Sequence, residues 1–170
     1  MKENGQTDRR GLILRLVILL ALLATAVMIF LFSAEGSAES SATSAQVARF
    51  VMRLIGVDFD ALSASEKTRV QFYVRKGAHF LEYTALGVFL HLFLSFFVKK
   101  RPLSFALSVA LGAVYAATDE YHQFLVGSRS AQWKDVALDS AGVLFGTALA
   151  LGILLLQKRK HRREKMKTEG

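Results

Sequence analysis

The chain has 170 residues, 52% of them hydrophobic, and a formal net charge of +8. It contains no cysteine, which rules out both a disulfide framework and a thiolate metal site. Its cations flank long apolar runs, a placement that fits membrane topology and anionic lipid; with no nucleic-acid-binding motif in view, nucleic acid is not an expected partner.

The first element is an apolar run from Leu12 to Phe32, interrupted by Arg15 and Thr25. About 20 residues at 1.5 Å each cross roughly 30 Å of hydrocarbon, so the run suffices for a span. Arg15 lies near its start and can snorkel to the headgroups. Arg9 and Arg10 before the run and small residues after it also suit a signal peptide. The apolar core of a signal is usually about 7–15 residues, so a retained helix is expected. Ser33 to Thr43, rich in Ser, Ala, Gly and Glu, reads as an exposed loop. From Gln46 to Ile55 the apolar residues Val47, Phe50, Val51, Leu54 and Ile55 follow helical spacing. They predict a short amphipathic helix resting on the membrane surface or on the spans. Ser63 to Val74 predicts a second, with Ser63 as N-cap and Glu66 at capping-box spacing.

The second span is expected from Gly77 to Val98, ended by Lys99, Lys100, Arg101 and Pro102. The third runs from Leu103 to about Tyr121 and the fourth from about Val136 to Leu156. The expected fold is therefore all-α: a polytopic membrane protein, a four-transmembrane-helix bundle with short amphipathic helices in the first external loop. Residues 1–11 form a cytoplasmic N-terminus, 12–156 the membrane domain with an external loop at 33–76, and 157–170 a basic cytoplasmic tail. The orientation follows from three short basic segments: Arg9-Arg10, Lys99-Lys100-Arg101 and the tail after Gln157. With four spans all three fall on one side, the cytoplasmic one.

Several polar groups occupy positions where hydrocarbon-facing residues are expected. Just after Lys76, the second span carries His79, Glu82 and Tyr83; Asp119, Glu120, His122 and Gln123 come at the outward end of the third, and Asp135 and Asp139 begin the fourth helix after Arg129 and Lys134. By helical rise Glu82 lies roughly 8 Å below the outer boundary and Asp119 roughly 24 Å above the inner one. A lone carboxylate at mid-span costs about 2.5–3.5 kcal/mol on insertion scales, so groups at one level are best placed facing each other and water. Lys76, His79 and Tyr83 share one helix face; Asp119, His122 and Gln123 share another; Asp135, Asp139, Gly142 and Gly146 share a third. Gly142 and Gly146 form GxxxG, which predicts close backbone approach and a central place for the fourth span. Four residues have plainer readings. Glu120 is expected to face solvent or headgroups, His91 to be a packing residue with a hydrogen bond, and Trp133 and Tyr121 to be interfacial anchors.

The stretches RKGAHFLEYTALGVFL (Arg75 to Leu90) and TDEYHQFLVGSRSAQWKDVALDSAGVLFG (Thr118 to Gly146), with the serine-rich loop after the first span, resemble VanZ-like proteins. The resemblance covers Leu12 to Leu156. The family often has Pro-Gly-Arg before the last group of polar residues, where this chain has Val126-Gly127-Ser128-Arg129, and Asn where Ser140 stands. The resemblance implies an integral protein of the bacterial cytoplasmic membrane. The family takes its name from a member linked to teicoplanin resistance.

Three functions compete. In the first, an outward polar pocket built from Lys76, His79, Glu82, Tyr83, Asp119, Glu120, Gln123, Arg129, Asp135 and Asp139 binds a lipid-linked or glycopeptide-like envelope ligand. Lys76, Arg129 and His79 would meet its phosphate or carboxylate. In the second, the site is a membrane-embedded hydrolase or transferase acting on a lipid headgroup or phosphate. His79 or His122 would be the acid/base, with Glu82, Asp119 or Asp139 orienting it or holding a divalent ion. No metal spacing is diagnostic, and the cofactor and oligomeric state stay open. The third is proton-coupled transport, against which stands the apolar inner half of the spans, where His91 is the exception. Membrane lipids are the expected partners, with a lipid-linked envelope precursor as a candidate.

Overall fold

The structure, a computed structural model, describes residues 2–125 and 132–168, and side chains from Arg9 onward apart from that of Ser37. The described residues form five helices and no strand: α1 (Lys2–Ser33), α2 (Ser37–Leu54), α3 (Ala64–Phe97), α4 (Arg101–Leu125) and α5 (Trp133–Thr168). Four of them, α1 over Arg9–Ser33 and α3, α4 and α5, are long and apolar enough to cross a bilayer. Large apolar side chains such as Leu20, Val27, Leu111, Val114 and Leu149 point outward, while Ser104, Ser108, Asp119 and Thr147 are buried. That inversion of a soluble protein's pattern suits a bundle whose solvent is hydrocarbon, and the chain is a multi-pass membrane protein.

The bundle closes around α3, which contacts each of the other four helices. The expectation that the last span is central is corrected: α5 packs on α3 and α4, and α3 is the hub. The close approach of α3 and α5 has the cause read from the sequence. A Cβ on Gly142 would lie 2.6 Å from the Phe80 carbonyl oxygen, and one on Gly146 would collide with the Thr84 backbone. Val143, between the two glycines, is fully buried with Ile29, Tyr83, Leu86 and Ala116, and its side chain fills the space left by Gly112 of α4. Near the opposite end, His91 is 1% exposed and its Nδ1 lies 3.1 Å from Ser108 Oγ, a packing histidine with a hydrogen bond as expected.

Two boundaries differ from expectation. The exposed loop expected over Ser33–Thr43 is mostly helix, since α2 begins at Ser37. Ser40, Ser44 and Ala48 recur every four residues, are buried, and give α2 a small-residue face along which it closes on α3. The segment Ser63–Val74 and the second span are one 34-residue helix, capped as read: Glu66 N–H donates to Ser63 Oγ, and Ser63 N–H donates to Glu66 Oε2 at 2.9 Å. Gly77 costs a helix only about 1 kcal/mol relative to Ala. The residues just before it are anchored on both sides, Arg75 to Ser44 of α2 and Lys76 to Asp135 of α5. At 1.5 Å per residue α3 is about 51 Å long, so it overhangs a hydrocarbon layer of about 30 Å. Likewise α5 has 36 residues, and the basic stretch after Gln157 continues it as helix to Thr168.

Candidate functional site

The ionisable residues singled out in the sequence collect at one end of the bundle, where α1 ends, α3 passes, α4 ends and α5 begins. Asp119 on α4 is the knot. Its Oδ2 accepts hydrogen bonds from Ser33 Oγ at 2.7 Å, Tyr83 OH at 3.0 Å and Gln123 Nε2 at 3.3 Å. Gln123 Nε2 also donates to Ser33 Oγ at 3.1 Å. One carboxylate oxygen thus ties α1, α3 and α4 together, with Asp119 itself only 5% exposed.

A second tie joins α3 to α5 through the ion pair between the Lys76 ammonium and the Asp135 carboxylate. Asp135, in the first turn of α5, thus holds the Lys76 charge. Glu120 does not face solvent or headgroups as expected. It is 6% exposed and its Oε1 accepts the Gln132 backbone N–H at 2.7 Å. That N–H belongs to the residue just before α5, so Glu120 fastens the start of α5 to the end of α4. His122 turns toward α1, its ring centroid 4.7 Å from that of Phe30. On α3 the half-buried His79 and Glu82, one turn apart, face each other with Nδ1 and Oε2 4.0 Å apart. Asp139 is 4% exposed, and its Oδ1, like Asp119 Oδ1, has no hydrogen-bond partner among the described residues. Asp139 lines the same cleft as Lys76, Glu120 and Asp135.

Two spaces meet at His79. One lies among Lys76, His79, Glu120, Gln123, Asp135, Leu138 and Asp139 and has no room for a water-sized sphere. The other, of about 140 Å³, is a partly open groove between α2, α3 and the end of α1. Phe32, Val47, Val74 and Ala78 supply its apolar lining. Glu35, Arg75, His79 and Glu82, with Ser40, Thr43 and Ser44, supply its polar lining. Sequence reasoning did not find this groove. The spacing of Ser40, Ser44 and Ala48 was the available signal; for Ser33, bonded to a residue 86 positions away, there was none.

The structure thus brings Lys76, His79, Glu82, Tyr83, Asp119, Glu120, Gln123, Asp135 and Asp139 to one end of the bundle, while Arg129 lies outside the described residues. Among the described residues no group of three or more His, Asp and Glu side chains is arranged to hold a metal ion. No curated protein and no solved structure matches the chain. The model of the VanZ/LLP1 family matches residues 17–156, a stretch holding most of the first span's apolar run, the apolar runs of the other three and every residue of the polar cluster. By that match, and with the four-span bundle and its polar end in place, the chain belongs to the VanZ/LLP1 family.

Proposed function

We propose that this protein binds an amphiphilic envelope ligand, lipid-linked or glycopeptide-like, in the groove between α2 and α3. The site would face outward from a bacterial cytoplasmic membrane, with both chain termini in the cytoplasm. The observation that carries the reading is the mixed lining of the groove. Four apolar side chains and four ionisable ones share it. Such a lining matches a molecule with a hydrocarbon part and a polar head. Pockets that bind small molecules combine an apolar lining with a few well-placed polar groups in this way.

The test is mass spectrometry of lipids that co-purify with the full chain in detergent, followed by saturation binding of those found. Ala78→Trp fills the groove without touching the buried cluster and is expected to abolish retention. Retention unchanged by Ala78→Trp would remove the groove from the reading. A second reading, a hydrolase or transferase, is favoured by one observation: His79 and Glu82 both line the groove, 4.0 Å apart. It requires turnover of a lipid-phosphate panel, lost in both Glu82→Gln and Asp139→Asn. A role in teicoplanin resistance is a separate reading. It requires that expression in a susceptible bacterium raise the teicoplanin concentration that stops growth.

A further inference from the structure

The bundle leaves one apolar face of α2 uncovered. Ser40, Ser44 and Ala48 are turned to α3. Beside them Val47, Phe50, Val51 and Leu54 recur at offsets of three and four and form a neighbouring stripe, which Ile55 extends. All five side chains are exposed, Phe50 by 63% and Leu54 by 71%. Single exposed apolar residues are ordinary, but a contiguous stripe of large ones marks a surface that something covers. Arg49 and Arg53 lie on the opposite side of α2 from Val47 and Val51, the arrangement of a helix that rests in a membrane interface.

The stripe is also continuous with the lipid-facing surface of the spans. Val47 shares the lining of the groove with Phe32, the last residue of the first apolar run, and both are exposed. Three residues, Ala34 to Gly36, separate α2 from α1, so its start is held where the first span ends. From there α2 pairs antiparallel with the first part of α3, Ser44 meeting Arg75 at one end and Asp60 meeting both Arg49 and Lys67 at the other. A second copy of the chain is a poor cover for the stripe, because five side chains fall far short of the roughly 20–30 residues a side of a standard interface. The length of α3 allows lipid to be the cover. A tilt of about 30° fits its 34 residues, about 51 Å, within the roughly 40–45 Å of a bilayer with its headgroups, and spans tilt by up to about 40°. We propose that α2 lies in the membrane interface with this stripe seated in lipid, so that the groove opens sideways into the bilayer. Its ligand then arrives from within the membrane, as a lipid-linked molecule does. That consequence rests on the groove-binding reading above; the seating of α2 does not.

The test places the full chain in phosphatidylcholine vesicles with a single cysteine at Phe50, Leu54 or Ala42, each carrying an environment-sensitive fluorophore. The chain has no cysteine of its own, and all three positions are exposed, so the substitutions leave the packing of the bundle intact. Ala42 shares a face with Arg49, seven residues on, and serves as the reference away from the stripe. Labels on Phe50→Cys and Leu54→Cys are expected to be quenched by nitroxide-bearing acyl chains, and several-fold less by aqueous iodide than the label on Ala42→Cys. Equal iodide quenching at Leu54 and Ala42 overturns the proposal, since the stripe then stands in water. Rapid disulfide dimerisation of unlabelled Leu54→Cys in the vesicles also overturns it, and assigns the stripe to a second copy. Lipid retention by Ala78→Trp separates this proposal from the reading it extends. Lipid quenching at Leu54 with retention unchanged by Ala78→Trp supports the seat and removes the groove. Iodide quenching at Leu54 with retention abolished by Ala78→Trp keeps the groove and overturns its sideways opening.

Discussion

Asp119 shows how one buried oxygen can hold three helices. Tyr83→Phe removes one of three donors to Oδ2 and leaves the others in place, so it should cost about 1–2 kcal/mol. Asp119→Ala leaves the Ser33, Tyr83 and Gln123 donors without their acceptor at once, and should cost about 3 kcal/mol or more. Thermal unfolding in detergent checks the order; equal losses would show that Oδ2 is not the shared acceptor. The helix positions of Asp119, Gln123 and Tyr83 could be read from spacing, because residues three and four apart share a face. Ser33 could not, since its partner is fixed by how α1 and α4 meet, which no local pattern encodes. Glu120 was misread for a similar reason. It sits at the end of α4, where solvent exposure is the usual outcome, and only the chain's return into α5 covers it.

At the scale of elements, the α3–α5 contact depends on glycines that can be distinguished from one another. Gly142→Ala and Gly146→Ala place a methyl against α3 backbone, which cannot swing aside as a side chain can, and each should destabilise the bundle by about 1–3 kcal/mol. Gly152, also on α5, has nothing within 4 Å of its Cβ position, so Gly152→Ala should be neutral or stabilise by up to about 1 kcal/mol. Unfolding titrations with denaturing detergent compare the three, and a loss at Gly152 matching that at Gly146 would deny the close contact. The spans were legible because twenty consecutive apolar residues have few alternatives. The start of α2 was not. Serine and glycine favour loops by local propensity, and only packing of Ser40, Ser44 and Ala48 against α3 overrides it. The joint at Gly77 was hidden too, because contacts to α2 and α5, not local sequence, hold the helix straight through it.

For the whole molecule, four crossings put the α2 side of the bundle and the end of α5 on opposite faces of the membrane. The chain has no native cysteine, so single ones report without background. Glu39→Cys on α2 should react with an impermeant maleimide in intact cells, and Lys165→Cys only after the cells are opened. Labelling of both from one side would remove a span, and the reverse pattern would invert the orientation inferred from the basic segments. Helix α5 runs unbroken and without proline from Trp133 to Thr168. Asp139 and Arg163 are therefore about 36 Å apart on one rod, at 1.5 Å for each of the intervening residues. If a change in packing around Asp139 tilts that rod by about 5°, the cationic turn around Arg163 sweeps sideways by about 3 Å, a simple lever by this geometry. A rearrangement on one side of the bilayer would then register as a positional signal on the other, with no second site and no moving loop.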